Sequence, residues 1–140
     1  MQLSADHIQS IRHTWKYFKN IDPGIFGDAF FTKLFTDNPL LKVEFNGDMS
    51  VYYQNLFDFL NMAVARIDRR ESLDSAIEDM ANRQQTNYLL DLHVSTLENA
   101  LVWTLQKGMG PEWSDEMENA WKLYFHLLIG KIRKSATLAE

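Results

Sequence analysis

The stretch Phe35-Thr36-Asp37-Asn38-Pro39-Leu40-Leu41-Lys42-Val43-Glu44-Phe45 lies where one apolar helix stops and another begins. Upstream of it, Phe26, Phe30 and Leu34 recur at four-residue intervals with Phe31 and Phe35 beside them, the pattern of a helix facing a core. Pro39 suits the first position of a new helix, where its missing N–H removes no hydrogen bond. The short helix it opens ends near Phe45-Asn46-Gly47-Asp48. The rest of the chain repeats this alternation of helix and break.

Towards the N-terminus, Ser4 is placed to cap a helix carrying Ile8, Ile11, Trp15 and Phe18, which Asp22-Pro23-Gly24 breaks. Downstream, Tyr52, Leu56, Phe59, Leu60, Ala63 and Ile67 trace another stripe, and Asp68-Arg69-Arg70-Glu71 reads as a solvated connection. The next helix aligns Leu73, Ile77, Met80, Ala81 and Gln84 on its buried face. Gln85 turns about 100° away from that face. A helix from about Asp91 to Lys107 follows, with Val94, Leu97, Leu101 and Leu105 inward, and Gly108-Met109-Gly110-Pro111 ends it. Ser114 caps the last helix, whose face is Met117, Trp121, Tyr124, Phe125, Leu128 and Ile132. No alternating strand pattern, repeat or low-complexity run interrupts this. The chain reads as all-α, about seven helices in a single domain over residues 1–140, with a loose tail from about residue 135.

Composition narrows the function. At 140 residues there is room for one core, and 46% hydrophobic against 24% charged residues argues against a disordered chain. A net charge of −5 argues against a nucleic-acid or anionic-membrane binder. The basic cluster Lys131-Ile132-Arg133-Lys134 sits where it complements the negative end of a terminal helix. No run of 18 apolar residues exists, so no membrane insertion is expected, and Met1-Gln2-Leu3-Ser4 does not open like a signal peptide. A cytoplasmic location is the expectation. With no cysteine, disulfides and thiolate chemistry are excluded. No metal-spaced cluster, phosphate-binding glycine loop or nucleophile–base pair is evident, and a non-enzymatic role is expected.

Four segments carry a resemblance. They are Leu3-Ser4-Ala5-Asp6 through Trp15; Phe35 to Phe45 as F-x-x-x-P-x-x-x-x-x-F; Ala100-Leu101 with Trp103-Thr104-Leu105 and Gly110; and Glu116 to Trp121 as E-x-x-x-A-W. In this order and spacing, with no gap needed after Leu56, they resemble the globin family, most of all single-domain bacterial globins and the globin domain of flavohaemoglobins. The resemblance implies helices packed at steep angles around a haem pocket. It implies that Phe45 packs on the porphyrin and that Phe31, Tyr52 and Leu56 take the distal positions, with Phe125 on the last helix completing the pocket. Phe31 stands where flavohaemoglobins usually have tyrosine, and Tyr52 offers a hydroxyl at a neighbouring position. Gln84 aligns with the histidine that holds the iron, and Val94 with the proximal tyrosine. Of that triad only a carboxylate, Glu116, remains.

A glutamine amide is a much weaker iron donor than imidazole. Gln84 is therefore expected to hydrogen-bond to Glu116 rather than ligate haem. His7 and His13 lie on the first helix, away from any pocket. His93 and His126 sit one helical step from Val94 and Phe125, a rotation of about 100° that aims them aside. They and Tyr52 are the substitute ligands if one exists. The aromatic residues either line a cavity for a flat or long apolar ligand or fill the haem space, and a filled core with at most a reduced pocket is expected. The leading expectation is a globin-like sensor, ligand-binding or interaction module with no cofactor, binding an apolar small ligand and pairing as a homodimer through its last two helices. The alternative is a haem globin with atypical axial ligation that binds oxygen or nitric oxide.

Overall fold

The computed structural model of the chain describes residues 3–83 and 87–139, and the side chains of these residues outside 81–92 and 135–139. Among the described residues there are six α-helices and two short 3-10 segments, and no strand. Helix α1 (Ala5–Phe18) opens with a reciprocal cap: Ser4 Oγ accepts from the His7 N–H at 3.1 Å, and His7 Nδ1 accepts from the Ser4 N–H at 3.0 Å. Helix α2 (Pro23–Asp37) starts on Asp22, whose carboxylate accepts from the Gly24 N–H at 2.7 Å. Asp22-Pro23-Gly24 thus ends one helix and starts the next. Pro39 then opens the 3-10 segment Pro39–Glu44.

Helix α3 (Met49–Ala65) is capped by Asp48, which accepts from the Ser50 N–H at 3.0 Å. That hydrogen bond, aided by the Ser50 side chain, holds the Asp48 carboxyl below the usual range. Helix α4 (Arg70–Arg83) takes in Arg70 and Glu71, so only half of the charged run forms a connection. Helix α5 (Asn87–Met109) begins four residues before the position that periodicity marks, and it is kinked at His93, where φ is −132° and ψ 30°. Counted as two helices across that kink, α5 brings the total to seven. Helix α6 (Asp115–Ala139) begins on Ser114, whose hydroxyl accepts from the Met117 N–H at 3.2 Å. Its backbone is helical through the expected tail.

Helix α2 packs across α3 and α5, while α6 packs on α1, α4 and α5. Aromatic rings seal the junction. Trp15 lies 5.4 Å from Phe57, 5.8 Å from Phe26 and 6.2 Å from Trp121, and its indole N–H donates to Asn61 Oδ1 at 2.7 Å. A buried indole needs such an acceptor. Glycine permits the closest approaches: Gly27 of α2 lies under Tyr53 of α3, and Gly108 of α5 under Phe18 of α1. Among the described residues no helix is long and apolar enough to cross a membrane.

Candidate functional site

The helices do not close completely. Between α2, the 3-10 segment, α3, α5 and α6 lies a cavity of about 430 Å³. Phe30, Phe31 and Leu34 of α2 form one wall, and Leu56, Phe59 and Leu60 of α3 another. The floor is α6, through Trp121, Phe125, Leu128 and Ile132, and Leu97 and Leu101 of α5 complete it. Phe31 organises one end: its ring lies 5.0 Å from Phe30 and 5.2 Å from Phe45, both edge-to-face, and Phe45 meets Tyr52 at 5.1 Å. Open space of about 430 Å³ lies beside these rings, where the sequence predicts a core with at most a reduced pocket.

Among the described residues few polar side chains border this space. Tyr52 spends its hydroxyl proton on the Asn46 carbonyl at 3.1 Å. Asn55 lies at the exposed edge. His93 lines the wall, with its Nδ1 3.5 Å from Asn38 Nδ2. The Trp121 indole N–H is buried, and among the described residues it has no hydrogen-bond partner.

Of the residues singled out in the sequence, Phe31, Phe45, Tyr52, Leu56 and Phe125 come together around the cavity. Val94 is not on its wall, and His93 is. The helical step that would aim Val94 inward assumes an unbroken helix, and the non-helical backbone at His93 removes that premise. Glu116 is corrected as well. It is exposed on the first turn of α6, where a carboxylate favours the helix N-terminus, and it borders a separate polar groove with Ser4, His7, His13 and Ser114. It needs no buried donor. Gln84, and with it the expected Gln84–Glu116 hydrogen bond, lies outside the described residues. His126 stays away from the cavity and pairs through Nε2 with Glu98.

Sequence reasoning missed Asn55, although it shares a helix face with Tyr52 and Phe59 at three- and four-residue spacing. It placed Trp121 and Leu128 in the core without a signal that they border open space. Among the described residues no group of three His, Asp or Glu side chains could hold a metal ion.

Among the described residues, packed α-helices bordering an apolar cavity beside a kinked helix define an all-α, cavity-bearing class of protein. Within it, the chain belongs to the globin family, whose model, described as Globin, matches residues 28–132. Among its relatives is a flavohemoprotein of Vibrio cholerae serotype O1, 26% identical over 132 residues that cover 90% of this chain and 32% of that protein. The chain thus spans about a third of that relative's length. A leghemoglobin of Medicago sativa is 18% identical over 146 residues, covering 96% of this chain and 99% of that protein. In three dimensions the fold is similar to that of a hexacoordinated heme protein from an anhydrobiotic tardigrade, with a TM-score of 0.75, 19% identity and 96% of each chain covered.

Proposed function

We propose that this chain is a ligand-binding globin domain whose cavity takes a flat or elongated apolar molecule, without the imidazole ligation of haem that its family commonly uses. The cavity carries the reading. Its 430 Å³ falls within the roughly 300–1,000 Å³ of small-molecule sites, and its wall is aromatic and aliphatic. The relatives are named as heme proteins, and the aromatic wall fits the faces of a porphyrin. The axial donor is where the fit fails at the family's position, because residue 84 is glutamine. A sensor or interaction role follows if occupancy is passed to a partner. The long α5 and α6 support a second copy of this chain in that role.

One observation favours a second reading, haem held with atypical ligation. His93 is an imidazole on the cavity wall, and an Asn38 amide turned to accept from Nδ1–H would leave Nε2 as an iron donor oriented by its second shell. Haem there would supply an open coordination position for oxygen or nitric oxide. Titrating the purified protein with haemin separates the two. The proposal expects no saturable one-to-one Soret band. A stoichiometric Soret band that His93→Leu removes would replace it with the second reading.

A further inference from the structure

We infer that Asn46 is a site of spontaneous covalent modification, closing to a succinimide that opens to aspartate and isoaspartate, and that this remodels the loop into α3. Asn46-Gly47 is the one Asn-Gly pair in the sequence. The reaction needs the next backbone nitrogen to reach the asparagine side-chain carbonyl carbon, with no side chain crowding the ring that forms. Glycine meets both needs, because it has no Cβ and turns freely. Asn38 precedes proline, whose nitrogen has no proton to release. Every other asparagine precedes a residue with a Cβ, and Asn55, Asn61, Asn99 and Asn119 are also held in helical backbone.

The fold leaves the pair open. Both residues are exposed and lie outside the helices, between the 3-10 segment and α3. Gly47 has a φ of 86°, which favours glycine, and no atom lies within 4 Å of the position a Cβ would take there. The Gly47 nitrogen attacks Cγ of Asn46 and loses its proton, and the side-chain amide leaves as ammonia. Water then breaks one of the two imide C–N bonds. Breaking the one to Cγ leaves aspartate. Breaking the one to the main-chain carbonyl carbon leaves isoaspartate, with the chain running through Cβ and one carbon longer. That carbonyl is the acceptor of the Tyr52 hydroxyl, at 3.1 Å. In isoaspartate it becomes a free carboxylate, and the chain reaches Asp48, the α3 cap, by a longer path. The modification therefore adds a charge beside Tyr52 and loosens the tie between the 3-10 segment and α3.

Incubation of the whole protein at mildly alkaline pH, followed by peptide mass mapping, tests this. The peptide carrying Asn46 is expected to shift by one amide-to-acid exchange before any other asparagine converts, with isoaspartate as the main product. Asn46→Gln, which would have to close a six-membered ring, should lose the shift with helicity intact by circular dichroism. No conversion at Asn46, or earlier conversion of another asparagine, would overturn the site. Aspartate as the sole product would overturn the succinimide route. The isoaspartyl fraction, separable by its extra negative charge, is expected to melt at a lower temperature than the unmodified protein, and Tyr52→Phe should shrink that difference. Equal melting temperatures would overturn the effect on the α3 junction and leave the site standing.

Discussion

Tyr124 shows what one residue contributes. Its ring is buried, and its hydroxyl donates to the Ala63 carbonyl at 2.5 Å. Ala63 lies in the last turn of α3, where carbonyls lose their intrahelical partners. The Ile67 N–H, which would continue the helix to Ala63, turns to Val64 instead, at 3.3 Å. Tyr124 therefore caps α3 from α6. Burial pushes its phenol above the usual tyrosine range, so it keeps its proton wherever the protein folds. Tyr124→Phe should cost about 1–3 kcal/mol in urea unfolding with helicity unchanged, because the carbonyl stays buried without a donor. No loss would mean that water reaches it. The sequence marks Tyr124 as core by its place on the α6 stripe, but its partner 61 positions away has no local signature.

Two glycines separate helix propensity from packing at the scale of elements. A Cβ on Gly27 would fall 2.4 Å from Tyr53 Cβ and Cγ, so Gly27→Ala must push α2 and α3 apart. Gly130 in α6 has nothing within 4 Å of that position. Alanine is favoured over glycine by about 1 kcal/mol inside a helix. Gly130→Ala should therefore stabilise by up to that amount, while Gly27→Ala should destabilise by about 1–3 kcal/mol through overpacking. Denaturant midpoints that move in opposite directions would bear this out, and a stabilised Gly27→Ala would refute the tight crossing. Nothing local distinguishes the two glycines, because a crossing is set by the partner helix. The helices themselves were legible: Ile8-Ile11-Trp15-Phe18 and Trp121-Tyr124-Phe125-Leu128 announce their faces, and Ser4 and Ser114 their starts. The α5 kink was not. The residues around His93 include no proline or glycine, so the spacing of Val94, Leu97 and Leu101 reads as one straight helix.

For the whole molecule, the family was legible because its signature is distributed from Leu3 to Trp121, whereas the cavity depends on how separate helices settle. Phe31, Phe45 and Tyr52 have the volume to fill that cavity, and instead they pair with one another along its wall. An occupant that binds the folded chain alone adds RT ln(1 + [L]/Kd) to its stability, about 2.7 kcal/mol at a hundredfold excess over Kd. For a domain of this size that raises Tm by roughly 7–12 °C. Leu56 borders the cavity and is only partly buried, so Leu56→Trp can extend into the open space without displacing the core. The wild-type protein is expected to gain that increment with dodecanol, an elongated apolar probe, in scanning calorimetry. Leu56→Trp is expected to unfold near the wild-type temperature and gain little from the same ligand. If the variant kept the full increment, the ligand would have to sit elsewhere. The groove between α1 and α6, bordered by Ser4, His7, His13, Glu116 and Met117, is an alternative, among the described residues, to which such a result would point. A retained shift would therefore count against the cavity as the binding site, and its loss would tie the stability of the whole fold to the space enclosed by α2, α3, α5 and α6.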